Sequence, residues 1–208
     1  MTRILALVAL TILVTAAASL HVPGCLPNED ATIVSESTFQ VPDLNSGPFE
    51  LILTYFTCPS RERALQNGTL KRRDQNLIEI CGIMDSSQVF AGTFNCDQAP
   101  VDQPTIEDCS AIDDVITDSL IRPMVVTIPA LSGLVVSLLN NSCAFVFLND
   151  DTNDTYDTCL HTIPDVGFDI TEECPQVRDG FIGSVRSPVQ PGVQNWELHI
   201  ISSSSLKD

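Results

Sequence analysis

Apolar residues along this chain come in short blocks separated by Gly, Pro, Asn and Asp. The clearest block is Phe49–Phe56, where Phe49, Leu51, Leu53 and Tyr55 alternate with smaller or more polar positions. A period of two places those four side chains on one face of a strand. Similar patterns predict strands over 32–41, 77–83, 88–94, 124–128, 133–139, 143–148, 166–170, 181–186 and 195–201. The pair 77–83 and 88–94 reads as a hairpin turning over 84–87. One segment has helical spacing instead: Ile112, Val115, Ile116 and Leu120, with Ser110 as N-cap, Asp113 at the capping-box acid position and Pro123 as the stop. About ten short strands with regular turn signals and one short helix predict an all-β fold, a two-sheet β-sandwich.

The first block differs from the rest. Met1-Thr2-Arg3 gives a positive start, Ile4–Val14 is apolar apart from Thr11, and Ala16-Ala17-Ala18 supplies small residues. That order of charged, apolar and small residues predicts a secretory signal peptide over 1–18. The apolar run is shorter than the roughly 20 residues a spanning helix needs. A later apolar stretch, 123–139, is broken by Pro129, Ser132 and Gly133. The expected mature protein is a single domain, residues 19–208, with no membrane association.

Cysteine usage agrees with that compartment. All eight cysteines, Cys25, Cys58, Cys81, Cys96, Cys109, Cys143, Cys159 and Cys174, follow the leader. In an oxidising environment they predict up to four disulfides. Eight cysteines allow 105 pairings, so the connectivity stays open at this level. None forms the close C-x2-C pair typical of zinc sites, so no metal is expected. Three N-x-S/T sequons, at Asn67, Asn140 and Asn153, lack proline in the middle position and predict glycosylated surface loops.

Charge changes the picture further. The chain carries 27 acidic against 10 basic residues, a formal net charge of −17. Loss of Arg3 with the leader takes this to −18 (−17 − 1). Such a surface repels nucleic acid and anionic lipid and attracts cationic partners. One acidic stretch comprises Asp97, Asp102, Glu107, Asp108, Asp113, Asp114 and Asp118; another is the loop Asn149–Asp157. The loop alternates oxygen ligands as calcium loops do. From Asp151, however, the EF-hand glycine and acid positions hold Tyr156 and Thr162, so that motif fails.

Catalytic signatures are sparse. The three histidines are His21, His161 and His199. The sequence has no G-x-S-x-G elbow, no H-E-x-x-H and no phosphate-binding glycine loop. Cysteines engaged in disulfides supply no thiolate. The expectation is a non-enzymatic protein without a cofactor.

Three places carry a family resemblance: Thr57-Cys58-Pro59 at the end of a strand; Tyr156-Asp157-Thr158-Cys159-Leu160 followed by Val166–Ile170 and Cys174; and Val177-Arg178-Asp179-Gly180-Phe181. In this order they resemble the secreted chemokine-binding and cytokine-binding proteins of poxviruses. Cys81, Cys96 and Cys109 depart from that family's spacing. The resemblance implies a two-sheet β-sandwich and an acidic sheet face that captures a basic host chemokine or cytokine and blocks receptor engagement. Such a protein would be a virulence factor serving immune evasion. No ligand-contacting residue falls on a matched motif. The competing expectation is an acidic extracellular matrix or calcium-binding structural glycoprotein.

Overall fold

A computed structural model describes residues 11–12, 19–23, 25, 29–41, 48–60, 77–81, 93–96, 103–118, 124–174, 183–187 and 195–206. In chain order the strands are β1 (Thr11–Ile12), β2 (Ser19–Leu20), β3 (Ala31–Val41), β4 (Phe49–Thr57), β5 (Leu77–Glu79), β6 (Thr93–Asn95), β7 (Val125–Ile128), β8 (Ser132–Leu138), β9 (Cys143–Asn149), β10 (Thr155–Cys159), β11 (Gly183–Arg186) and β12 (Trp196–Ser202). The described residues also include two helices, α1 (Ile106–Asp118) and α2 (Thr162–Glu173), and a 3-10 turn at Ser203–Leu206.

Where the sequence predicts an all-β fold, the described residues are mostly β, in two sheets, with two helices besides. The larger has nine strands in the order β1-β3-β4-β8-β9-β12-β11-β6, with β2 also on β3. All its pairings are antiparallel. The smaller sheet runs β5-β10-β7, and its β5–β10 pair is parallel. On β3 the register slips between Ile33 and Ser35, leaving Val34 bulged and 64% exposed.

Strand β9 shows how the molecule is layered. It lies inside the large sheet between β8 and β12, and every one of its residues is buried. Phe145 and Phe147 face the larger core together with Leu51, Leu53, Leu134, Val136, Leu198 and Ile200. That core also takes Ile112 and Ile116 of α1, Val166 and Ile170 of α2, and Ile128 and Tyr156 of the small sheet. Ala144, Val146 and Leu148 face the opposite way, into a smaller core with Phe56, Val135, Val22 and Leu206. A strand buried on both faces reads as a continuous apolar run, here CAFVFLN, rather than an alternation.

Three expectations need correction. Residues 166–170 are helical, within α2, so a second helix stands beside the expected one among the described residues. Val166, Phe168 and Ile170 alternate, but Ile163, Val166, Gly167 and Ile170 also recur at helical spacing, and burial of that stripe decides the matter. The hairpin over 77–94 does not form: β5 joins the small sheet through β10, whereas β6 is the far edge of the large sheet. The turn at 84–87 lies outside the described residues. Helix α1 starts at Ile106, four residues before Ser110. Its first turn is capped by Thr105, whose Oγ1 accepts the backbone N–H of Asp108 at 3.1 Å.

All eight cysteines are paired: Cys25–Cys58, Cys81–Cys159, Cys96–Cys174 and Cys109–Cys143. Each bridge ties separate elements. Cys81–Cys159 closes the ends of β5 and β10, Cys96–Cys174 holds the end of α2 to β6, and Cys109–Cys143 fastens α1 to β9. Loop-closure entropy alone assigns each about 4 kcal/mol, but the two 78-residue loops interlace and do not add independently.

Candidate protein-binding surface

The helices gather the acids. Helix α1 directs Cys109, Ile112, Val115 and Ile116 into the core. Glu107 and Asp114 are exposed, and Asp113 accepts a hydrogen bond from Thr117 Oγ1 at 3.1 Å. Helix α2 directs Ile163, Val166 and Ile170 inward and leaves Asp165, Glu172 and Glu173 exposed. The two helices pack against each other, and neither contains a lysine or arginine.

Gly167 brings α2 onto the sheet. A Cβ at this position would lie 2.3 Å from Cε1 of Phe145, a ring buried completely in the larger core. Without a side chain there, the helix backbone rests on Phe145. Asp169, two residues on, is partly covered. Burial raises the Asp169 carboxyl above its ordinary value. The neighbouring carboxylates of Glu172, Asp165 and Glu173 raise it further.

Helix α2 is electrostatically unfavourable as it stands. Asp165 and Asp169, and Asp169 and Glu173, are like-charged pairs four residues apart. Glu172 and Glu173 sit in the last turn, where the helix dipole is negative and cations are preferred. The end is nevertheless fixed. The Cys174 N–H donates to Ile170 O at 3.0 Å, and Cys174 is bonded to Cys96. A covalent anchor thus holds in place a concentration of negative charge that local electrostatics would fray.

A second charged group lies on the sheet face opposite the helices. Arg186 Nη2 donates to Glu197 Oε2 at 2.9 Å and to Asp150 Oδ2 at 3.3 Å. His199 Nε2 is 3.2 Å from Glu197 Oε1, at ion-pair distance but off the direction of a hydrogen bond. Burial pushes the Glu197 carboxyl up, but the close approach of His199 and then the hydrogen bond and charge of Arg186 outweigh it and lower it to about 2. This group staples the β9–β10 loop to β11 and β12. Nearby, Tyr156 Oη accepts the Asn195 N–H at 2.7 Å. Burial raises the tyrosine, the Asn195 bond lowers it, and Asp151, Asp154 and Asp150 raise it again, to about 12.

The remaining sequence candidates divide as follows. Asp97, Asp102 and Asn67 lie outside the described residues. Asp108 is turned inward, accepting from Ser142 and Asn141. In the 149–157 loop, Asp151 Oδ1 accepts the backbone N–H groups of Asn153 and Asp154, and Asp157 accepts from Thr127 Oγ1. Those carboxylates are engaged within the protein, and no group of three or more metal-binding side chains occurs among the described residues. His21 faces Asp30 at 3.8 Å on the surface, and His161 occupies the N-cap of α2 without a side-chain capping bond. The acids of α2 escape a sequence reading that makes this segment a strand; the i, i+4 spacing of Asp165, Asp169 and Glu173 is the signal that places them on one helix flank.

No family model, no curated protein and no solved structure matches this chain.

Proposed function

We propose that this chain is a secreted binding protein that captures a basic extracellular protein, of chemokine or cytokine type, through the acidic surface of α1 and α2, and so blocks receptor engagement. The observation that carries the reading is α2: four carboxylates, no cation, a dipole-opposed C-terminal turn and a disulfide that holds it in place. A cationic partner would relieve the repulsion stored there, which favours the complex over the free protein. Complementary charge of this kind acts chiefly on association rate and on rejection of acidic competitors. The leader pattern, the four bridges and the sequons support an extracellular setting. The two sheets are read as unequal halves of a sandwich, with the helices beside the smaller one. The resemblance to poxvirus chemokine-binding proteins points to the same ligand class, although the clustered acids here lie on helices and not on a sheet face.

The test is a biosensor panel of basic and acidic chemokines and cytokines against the mature protein. Nanomolar binding confined to basic members is expected. No nanomolar binding to any member would end this reading.

A further inference from the structure

We infer that Asn140 is an N-glycan attachment site open only while the chain is unfolded, and that closure of the Cys109–Cys143 bridge ends its availability. The inference rests on the secretion reading above.

Asn140 is exposed in the turn between β8 and β9 and has a left-handed backbone, φ 62°. Its surroundings are locked by three elements. Asn141 Nδ2 donates to Asp108 O at 2.9 Å, and its Oδ1 accepts the Cys143 N–H at 2.7 Å. The Ser142 hydroxyl donates to Asp108 Oδ2 and accepts the Thr105 N–H at 3.3 Å. Ser203 N–H donates to Ser142 O at 2.8 Å from the C-terminal 3-10 turn. Cys143, next in sequence, is bonded to Cys109 one residue beyond Asp108.

The acceptor signal requires both the asparagine amide and a hydroxyl two residues later. The transfer forms a bond between Asn140 Nδ2 and the anomeric carbon of an oligosaccharide carried on a lipid pyrophosphate. The lipid pyrophosphate leaves, and one amide proton is released. In the folded protein the amide is presented but the Ser142 hydroxyl is engaged between Asp108 and Thr105. Folding thus separates the two halves of the signal. The turn tip itself has room for the sugar, so a glycan added earlier is carried without displacing packed residues. Asn153 differs, because its Nδ2 donates to Thr152 Oγ1 at 2.8 Å.

The experiment is cell-free translation of the full chain with endoplasmic-reticulum microsomes, under oxidising conditions and with dithiothreitol. The chain carries Asn67→Gln, Asn153→Gln and a reporter sequon on an added C-terminal tail. Occupancy is read by endoglycosidase shift and mass spectrometry. Reporter glycosylation with at least twofold higher Asn140 occupancy under reduction is expected, and Cys109→Ser/Cys143→Ser should show the high value in both conditions. Equal Asn140 occupancy in both conditions, at any level, or a double variant that behaves like the parent, would overturn the inference while leaving secretion intact. An unmodified reporter would mean that the chain never entered the lumen, and both readings would fall.

Discussion

At Glu197 burial and ion pairing pull in opposite directions, and ion pairing wins. Its carboxyl is held at about 2 by His199 and Arg186 against the cost of desolvation. A carboxylate lowered on folding stabilises the protein fully above its unfolded value of 4.5, and that contribution is lost as pH falls through the folded value. The difference in unfolding free energy between the wild type and Glu197→Gln should therefore reach its plateau near pH 5 and shrink toward zero near pH 2. Its plateau should be on the order of 2–3 kcal/mol. Trp196, the single tryptophan, is fully buried and stacked on Phe147 with centroids 5.9 Å apart, so its fluorescence follows unfolding. A difference that is flat across the acid range would refute the role given to this pair. Gly167 is constrained sterically. Alanine improves helix propensity by up to about 1 kcal/mol, but its Cβ would meet the Phe145 ring in a packed core. Gly167→Ala is expected to destabilise by about 1–3 kcal/mol in urea titrations; a gain in stability would show that α2 does not rest on that ring.

Helix α2 is the element that sequence patterning misassigned, and the reason is physical. The segment satisfies both periods at once, since Val166, Phe168 and Ile170 share one strand face while Ile163, Val166, Gly167 and Ile170 share one helix stripe. Pro164 adds ambiguity, yet in the first turn of a helix it removes an N–H that has no intrahelical partner. Long alternating or wholly apolar strands such as β4 and β9 are readable because burial alone sets their pattern. Strand β10, TYDTC, is not, because only Tyr156 and Thr158 turn inward and Asp157 finds its partner, Thr127, across the sheet. The acidic site follows the same division: α1's acids were visible in sequence, whereas those of α2 required its helix to be known. Asp169→Asn should stabilise the free protein by about 0.3–1 kcal/mol, since it removes a partly desolvated charge and its repulsion from neighbouring carboxylates. The sign follows from the raised carboxyl, which makes ionised Asp169 a penalty that grows as pH rises through its folded value. Thermal melts at pH 7 and pH 4 measure it: the gain should be present at pH 7 and smaller at pH 4. A lower melting temperature at pH 7 would show that Asp169 has a favourable partner.

For the molecule as a whole, one sheet separates two cores, and its faces serve different purposes. One is sealed by the N-terminal segment and the C-terminal turn and carries the Arg186–Glu197–His199 group. The other is covered by helices and the small sheet, and the outer surfaces of those helices bear concentrated negative charge. Four disulfides hold this arrangement in place against unfavourable surface electrostatics. The eight cysteines and their even number are plain in the sequence, but their pairing is not, because each bridge joins segments at least 33 residues apart that only the fold brings together. The central claim is that this helical surface, rather than net charge spread over the whole protein, binds a basic partner. The most direct measurement is the association rate of the best-bound basic chemokine, from low salt to about 0.5 M, for the wild type and for Asp165→Asn/Asp169→Asn/Glu172→Gln. The account predicts a steep fall with salt for the wild type, and for the variant an association rate at least tenfold lower at low salt with a much shallower slope. Equal rates and equal salt slopes for the two proteins would contradict it.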